Sequence, residues 1–359
     1  MSLIQVKSRI RDYNVYFGSI QNYLQKIGKN YPNSCYIVDA NVWKLHCKEF
    51  LKGINSEEVI NIPISEAGKT LKTVRELYDR LIGRTVKRNL TIISIGGGIT
   101  QDVTGFLSST LYRGLKWIFI PTTFLAQADS CIGSKTSLNY KNYKNLIGTF
   151  YPPAEVFIDT RFIATQKSVD FYSGFGEAMK LHVMGGAKSA EGFLKIFPKL
   201  KGENSKILQE VIRESLLIKQ NYIEEDEFDN GKRNLLNYGH CFGHALETAS
   251  DFNIPHGQAV VAGMILANRV ALRRGLLSKF LEEHLRGKFF LPSLVVKFKK
   301  KYLSFNKVLE SFKKDKKRTG DKYPVIVITD NYNMLKISDM EAVEIVSAIK
   351  DFSKLLEIV

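Results

Sequence analysis

The chain has 359 residues, 44% of them hydrophobic and 25% charged, an ordinary globular composition with enough apolar material for a packed core. Its net charge of +16 favours an anionic partner, whether a substrate, a nucleic acid or an acidic membrane surface. The four cysteines form no CxxC motif, no leader-like run opens the chain, and no apolar stretch is long enough to span a bilayer. We therefore expect a soluble, cytoplasmic protein of two domains.

The first part of the chain alternates short apolar runs with segments of helical periodicity. The pattern predicts a helix over residues 70–82. Strands are predicted at 35–38, 59–64, 90–95 and 117–120. Strands that alternate with helices are typical of an open, parallel, Rossmann-like sheet.

Helical periodicity dominates after about residue 170. The predicted helices cover residues 174–184, 206–223, 240–249, 257–273, 308–313 and the final stretch from Asp339. One strand-like run remains at 325–329. We therefore predict an α/β, Rossmann-like domain over residues 1–170 and a mostly α-helical domain over residues 171–359.

A glycine turn follows the strand predicted at 90–95. Gly96, Gly97 and Gly98 lie between that strand and a helix-like segment. Such an arrangement lets backbone N–H groups approach a pyrophosphate at the positive end of the helix. The spacing is not GxGxxG, so an ordinary tight turn is an equal alternative.

A polar segment, residues 121–136, concentrates hydroxyl groups together with Asp129 and Lys135. Arg113 lies upstream of it and Lys144 lies downstream. These groups suit phosphate or sugar oxygens. A polar loop over the sheet edge would have a similar composition.

Three of the six histidines, His240, His244 and His256, fall within 17 residues. Because residues i and i+4 of a helix share one face, spacing alone favours His240 and His244 as a ligand pair. Two imidazoles and one carboxylate can hold a catalytic zinc ion, and Glu177 is a candidate carboxylate. A glutamate at a helix start is also favoured by the helix dipole alone. Spacing cannot say which histidine binds metal and which handles protons.

Two charged segments complete the candidate sites. Arg233 suits bidentate contact with a carboxylate or a phosphate. The basic run at 313–318 suits an anionic substrate or nucleic acid, although a solvent-facing patch has the same composition. Because no RNA-binding signature or helix-turn-helix pattern accompanies this run, we expect no nucleic-acid partner.

Taken together, these segments resemble the 3-dehydroquinate synthase family of sugar phosphate cyclases. The resemblance runs from about Asp39 to Gly320 and is most specific over residues 92–148 and 233–263. It implies an N-terminal NAD-binding domain, a C-terminal metal- and substrate-binding domain, and a homodimer. It also implies two cofactors, NAD and a divalent metal, Zn²⁺ or Co²⁺.

The resemblance implies a role for each matched position. The NAD-binding positions are Asp39, Asn41, Glu66, Lys69, Gly97, Gly98, Asp102, Thr122, Thr123, Lys135, Lys144, Phe162 and Thr165. The metal ligands are Glu177, His240 and His256. The catalytic positions are Asp129, Lys180, Lys219, Asn237 and His244, so that His244 handles a proton near the phosphate instead of binding metal. The positions that bind the anionic ends of the substrate are Arg113, Lys135, Asn145, Arg233, Lys316 and Lys317.

Two of these assignments carry further implications. Arg113 matches an arginine that reaches the phosphate from the partner subunit, which is why a homodimer is implied. Lys316 or Lys317 would meet the substrate carboxylate together with Arg233. A carboxylate-binding pair of this kind favours a phosphorylated sugar acid as substrate.

The family reaction converts 3-deoxy-D-arabino-heptulosonate 7-phosphate to 3-dehydroquinate and phosphate, in the shikimate pathway. It combines transient oxidation by NAD, elimination of phosphate, reduction and an intramolecular aldol closure. Three departures from the family pattern leave open a paralogous cyclase for another heptulose phosphate in a specialised or cell-surface sugar pathway: Asp229 and Gln258, each where glutamate is common, and the segment 98–102. A simple polyol dehydrogenase is disfavoured by Lys135 and Asn145, which suit a phosphate.

Overall fold

The computed structural model describes residues 2–63, 65–84, 88–141, 143–200, 205–313 and 322–358. Lys316 and Lys317 lie outside these residues. The chain divides into two compact units, one formed by Met1–Thr165 with Ile223–Phe228 and the other by Gln166–Tyr222 with Asp229–Val359. The return of six residues to the first unit was not predicted from the sequence.

The first unit is built on a seven-stranded sheet. The strands of this sheet are β1 (Ser2–Val6), β2 (Tyr13–Phe17), β3 (Ser34–Asp39), β4 (Val59–Ile62), β5 (Thr91–Gly96), β6 (Lys116–Pro121) and β9 (Glu155–Ile158). A separate hairpin consists of β7 (Lys135–Tyr140) and β8 (Tyr143–Phe150). The helices of the first unit are α1 (Ile20–Asn30), α2 (Ala40–His46), α3 (Leu71–Ile82) and α4 (Gly98–Thr110). The sheet order is β1-β2-β9-β6-β5-β3-β4, and every pair is parallel except β1–β2.

Continuous apolar runs form the centre of this sheet because helices cover both of its faces. All six residues of β5 are buried. Ile93, Ile118 and Phe157 share one core cluster with residues of α1, and the ring of Tyr23 stacks on Phe157 at a centroid distance of 4.4 Å. The predicted Rossmann-like α/β class is confirmed.

The sheet has a topological switch point between β3 and β5. From β3 the chain moves outward to β4, and from β5 it moves the opposite way, to β6. The carboxyl ends of these adjacent strands therefore border a crevice, the usual ligand position in open α/β sheets. Asp39 ends β3 and the glycine turn follows β5, so both lie at this crevice.

The second unit is mostly helical, as predicted. From Ser168 onward the helices are α5 (Ser168–Met184), α6 (Ala187–Ile196), α7 (Ser205–Glu225), α8 (His240–Ala249), α9 (His256–Arg273), α10 (Lys279–His284), α11 (Leu291–Ser293), α12 (Phe305–Lys313) and α13 (Ala342–Leu355). A β-hairpin, β10 (Tyr323–Ile328) and β11 (Met334–Met340), lies between α12 and α13. No helix among the described residues has both the length and the apolarity needed to cross a membrane.

One boundary prediction was wrong. Asp339 was expected to begin the last helix, but it lies in β11, and the helix begins at Ala342. The chain leaves the strand at Glu341, whose side chain and that of Glu344 form a reciprocal capping box. The capping box explains the later start, because it satisfies backbone N–H groups that have no partner at a helix N-terminus.

Helices α5, α8 and α9 approach one another closely at glycines. A Cβ atom on Gly257 would lie 1.8 Å from the carbonyl oxygen of Ser173, and one on Gly263 would lie 1.9 Å from that of Gly239. A Cβ on Gly176 would lie 2.6 Å from the carbonyl oxygen of Gly257. No side chain fits at these crossings, so glycine permits the backbone contact between the helices.

We expect Gly257→Ala to lower the free energy of unfolding by about 3 kcal/mol, because the new methyl group overpacks a backbone contact that cannot relax. Urea denaturation measures the change. The matched control is Gly192→Ala in α6, where a Cβ would have no heavy atom within 4 Å. Gly192→Ala should be neutral or stabilising by about 0.5–1 kcal/mol, since alanine favours the helix. Equal stability of the two variants would contradict the contact at Gly257.

Candidate active site

Glu177 is the buried centre of a polar cluster in the second unit. Its side chain is 1% exposed, on α5. One turn later, Nζ of Lys180 lies 2.7 Å from Glu177 Oε2. Glu177 Oε1 lies 3.5 Å from Nε2 of His240 and 3.4 Å from Nε2 of His256. The Lys180 ammonium thus lies against Oε2, and the two imidazole nitrogens face Oε1.

Both histidines turn the same nitrogen toward Glu177. Nδ1 of His240 lies 3.2 Å from the carbonyl oxygen of Tyr238, and Nδ1 of His256 lies 3.2 Å from Oε2 of Glu247. A carbonyl and a carboxylate only accept hydrogen bonds, so each Nδ1 carries the proton. In the neutral form of each ring, the Nε2 lone pair is available to a cation. Metal-bound histidines are usually oriented in this way.

The donor set fits a divalent cation. Two neutral imidazoles and one carboxylate form a three-ligand catalytic zinc site with an open fourth position. Lys180 compensates Oε2 of Glu177, whereas Oε1 faces only the two imidazole nitrogens at 3.4 and 3.5 Å, and a cation would satisfy this buried oxygen.

His244 offers a second possible ligand set. It lies one turn after His240 on α8, and the donor nitrogens of His240, His244 and His256 lie within 4.8 Å of one another. His244 is exposed, whereas Glu177 is buried. The assignment of the three metal ligands therefore stays a prediction.

Charge coupling controls protonation in this cluster. Burial opposes ionisation of Glu177, but Lys180 and then His240 outweigh it and hold the pKa of the carboxyl well below its ordinary value. Burial and the nearby Lys180 hold the pKa of His240 well below its ordinary value. Burial also lowers the pKa of His256, but Glu247 and Glu177 together raise it to about 10. A metal ion that binds here would displace the His256 proton.

Glu247 is a site residue that the sequence reasoning missed. It is buried on α8, seven residues after His240, and it accepts the hydrogen bond from His256. The i, i+7 spacing from His240 places both residues on one face of the helix, and this was the available signal. Nothing in the sequence indicated that the carboxylate would face His256, which comes from the next helix.

Three other predicted site residues of this unit are buried or held by a hydrogen bond. Lys219 and Arg233 are buried, at 7% and 4% exposure, and Asn237 donates to the carbonyl oxygen of Asn234. Gln258 is buried, and its amide bonds to three backbone groups of Tyr172, Ser293 and Val295. This departure from the family pattern therefore serves helix packing.

The glycine turn of the first unit lies at the switch point of the sheet. Gly97 is the N-cap of α4 and Gly98 is its first residue. At the end of neighbouring β3, Asp39 caps α2 by accepting from the N–H groups of Asn41 and Val42. Burial raises the pKa of Asp39 against these backbone bonds. Four predicted NAD-binding residues thus lie at one sheet edge.

A second polar cluster of this unit joins α4 to the β7–β8 hairpin. Nζ of Lys69 lies 2.5 Å from Asp102 Oδ2 and donates to Asn145 Oδ1 at 2.6 Å. Ser137 donates to the same two acceptor side chains. Burial raises the pKa of Asp102, and Lys69 opposes the rise. Glu66 joins this region as an acceptor from Asn139 and lies 3.9 Å from the Lys144 ammonium.

The remaining predicted residues of the first unit are spread more widely. Thr122 is buried, and Thr123 Oγ1 accepts from the N–H of Ala126. Phe162 and Thr165 both contact His46, a buried histidine that the sequence reasoning did not identify. Asp129 is part of a π-helical turn, and Lys135 and Arg113 are exposed.

We expect Glu247→Ala to raise the zinc dissociation constant about 10–100-fold, the usual loss when a partner of a ligating histidine is removed. Glu247→Gln should cost less, because its amide oxygen can still accept from His256. Competition with a chromophoric chelator measures the affinity. The control is Glu191→Ala, which removes a different carboxylate–histidine contact, to His284 at 2.7 Å. Unchanged zinc affinity in folded Glu247→Ala would contradict the proposal that Glu247 orients His256 for metal binding.

Comparison with known proteins follows the two units. The family model described as 3-dehydroquinate synthase N-terminal matches residues 59–173, and the model described as 3-dehydroquinate synthase C-terminal matches residues 174–318. A 3-dehydroquinate synthase of Campylobacter concisus is 33% identical over 355 residues, covering 97% of this chain and 99% of the relative. One from Pelagibacter ubique is 35% identical over 345 residues, covering 91% and 93%.

A solved structure supports the same fold. The 2-epi-5-epi-valiolone synthase of Streptomyces hygroscopicus subsp. jinggangensis, with NAD⁺ and Zn²⁺ bound, superposes with a TM-score of 0.85 at 22% identity and covers 99% of both chains. The family models and the relatives extend over both units of the chain. The chain belongs to the 3-dehydroquinate synthase family.

Proposed function

We propose that this protein is a 3-dehydroquinate synthase, which converts 3-deoxy-D-arabino-heptulosonate 7-phosphate to 3-dehydroquinate and phosphate. The observation that carries the proposal is the cluster of Glu177, His240 and His256. The Nε2 atoms of the two histidines face one buried carboxylate oxygen of Glu177. Relatives of this name match nearly the whole chain. The net charge of +16 also favours collection of a doubly anionic substrate.

The residues of each unit have separate tasks in this proposal. When bound, NAD supplies a reversible redox couple at the crevice of the first unit, and a divalent cation supplies Lewis acidity at Glu177, His240 and His256. Lys180 keeps Glu177 ionised, because its ammonium lies 2.7 Å from the carboxylate. His244 is exposed beside the ligand histidines, where it can exchange a proton with the substrate phosphate.

Buried cations are proposed to hold the substrate. Lys219 and Arg233 are nearly inaccessible in the second unit. The carboxylate of the sugar acid would bind Arg233 through two parallel hydrogen bonds. Lys135 and Asn145, in the first unit, are proposed to bind phosphate.

The direct test is an assay with this sugar acid phosphate, NAD and Zn²⁺ or Co²⁺, in which released phosphate and dehydroquinate are both measured. Turnover should require both cofactors and should be absent in His256→Ala. Phosphate release only from sedoheptulose 7-phosphate would instead favour a paralogous cyclase. NADH accumulation with polyols, without phosphate release, would indicate a dehydrogenase.

Arg233→Ala should weaken binding of the substrate carboxylate about 10–100-fold, the cost of losing hydrogen bonds to a charged group. Inhibition constants of two phosphorylated analogues, one with and one without the carboxylate, measure the difference. Arg213→Ala, at an exposed position on α7, is the control. An equal loss of affinity for both analogues would contradict the assignment of Arg233.

We also propose a homodimer in which Arg113 acts on the partner's site. Arg113 is exposed, and a turn with positive φ at Tyr112, Arg113 and Gly114 presents it. Mixing Arg113→Ala with His256→Ala should then restore activity, since a mixed dimer contains one complete site. No recovery after subunit exchange would count against this arrangement. A cytoplasmic location stays a prediction from the sequence.

A further inference from the structure

Gln101 joins two segments of the first unit through a reciprocal pair of hydrogen bonds. Its Nε2 donates to the backbone carbonyl oxygen of Ser130 at 2.6 Å, and the Ser130 hydroxyl donates to Gln101 Oε1 at 2.7 Å. Gln101 lies in the first turns of α4 and is 5% exposed. It belongs to the 98–102 segment that departs from the family pattern, and the proposed reaction assigns it no role.

The segment that Gln101 holds is a π-helical turn, Ala126–Ser130. Its ring is closed by the N–H of Cys131, which donates to the carbonyl oxygen of Ala126 at 3.0 Å. Single π-helical turns are rare in proteins overall, and those that occur are frequently located at functional sites. Asp129, a proposed catalytic residue, lies on this turn. The Gln101 amide therefore fixes the end of the turn on which Asp129 lies.

Ser130, the last residue of the turn, and Thr123, which precedes the turn, border the glycines proposed to face NAD. A Cβ atom on Gly98 would lie 3.7 Å from Oγ of Ser130, and one on Gly97 would lie 3.0 Å from Cγ2 of Thr123. Ser130 and Thr123 thus stand beside the two glycines whose missing side chains open the N-terminus of α4. A shift of Ser130 toward or away from Gly98 would change the space available there.

We propose that Gln101 is a positioning residue that sets the affinity for NAD by holding Ser130 beside the glycine turn. The inference rests on the proposed function for the identity of the dinucleotide. Both ends of the Gln101 amide are used, one as donor and one as acceptor. Methionine has nearly the same length and can form neither bond, so Gln101→Met removes the contact with little change in volume.

Calorimetric titration of the whole protein with NAD tests the inference. Gln101→Met should bind NAD about tenfold more weakly, equivalent to ~1.4 kcal/mol. Ser130→Ala should bind less weakly than that, because the bond to the Ser130 carbonyl remains. The double variant should match Gln101→Met, since the two side chains act through one contact.

The control separates positioning from general stability. Gln258→Met removes a buried amide with three backbone partners in the second unit, so it should lower the melting temperature without altering NAD affinity. NAD binding by Gln101→Met within twofold of the unchanged protein, measured well below its melting temperature, would overturn the inference alone. Absence of NAD binding by the unchanged protein would overturn the proposed function as well.

Discussion

Backbone contact at glycines determines the geometry of the helical unit. Gly176, Gly239 and Gly257 each immediately precede or follow a proposed metal ligand, so the closest points between α5, α8 and α9 coincide with the cluster. Three ligands from three helices converge only if those helices cannot slide or separate. This arrangement requires glycine, which has no side chain, at each crossing. As a result, the Nε2 atoms of two imidazoles lie within 3.5 Å of one carboxylate oxygen.

The two units prepare their ligand groups by different physical means. In the helical unit, contacts within the buried charge cluster set the charge and orientation of its side chains: Lys180 keeps Glu177 ionised, and Glu247 orients His256. In the α/β unit the backbone forms most of the proposed ligand position, through the switch point of the sheet and the glycine turn at the N-terminus of α4. The Gln101–Ser130 contact adds a side-chain constraint to that turn.

Local patterns in the sequence were sufficient for much of the fold. The bounds predicted for β5 and α3 agree with the structure within one residue at all four ends, because their periodicity is strong and turn residues or caps bound them. The β7–β8 hairpin was not predicted. Only its first two residues fall in the polar segment 121–136, and no strand was predicted over the rest of the hairpin. Glu247 was missed for a related reason: its partner comes from another helix, and sequence spacing does not encode that contact.

X-ray absorption spectroscopy of the protein loaded with a single zinc ion reports the ligands of the metal directly. We expect a first shell of two imidazole nitrogens, one carboxylate oxygen and solvent oxygens, and loss of the carboxylate contribution in Glu177→Gln. A shell of three imidazoles that survives this substitution would place His244 on the metal. That result would show that the buried carboxylate of Glu177 does not anchor the metal.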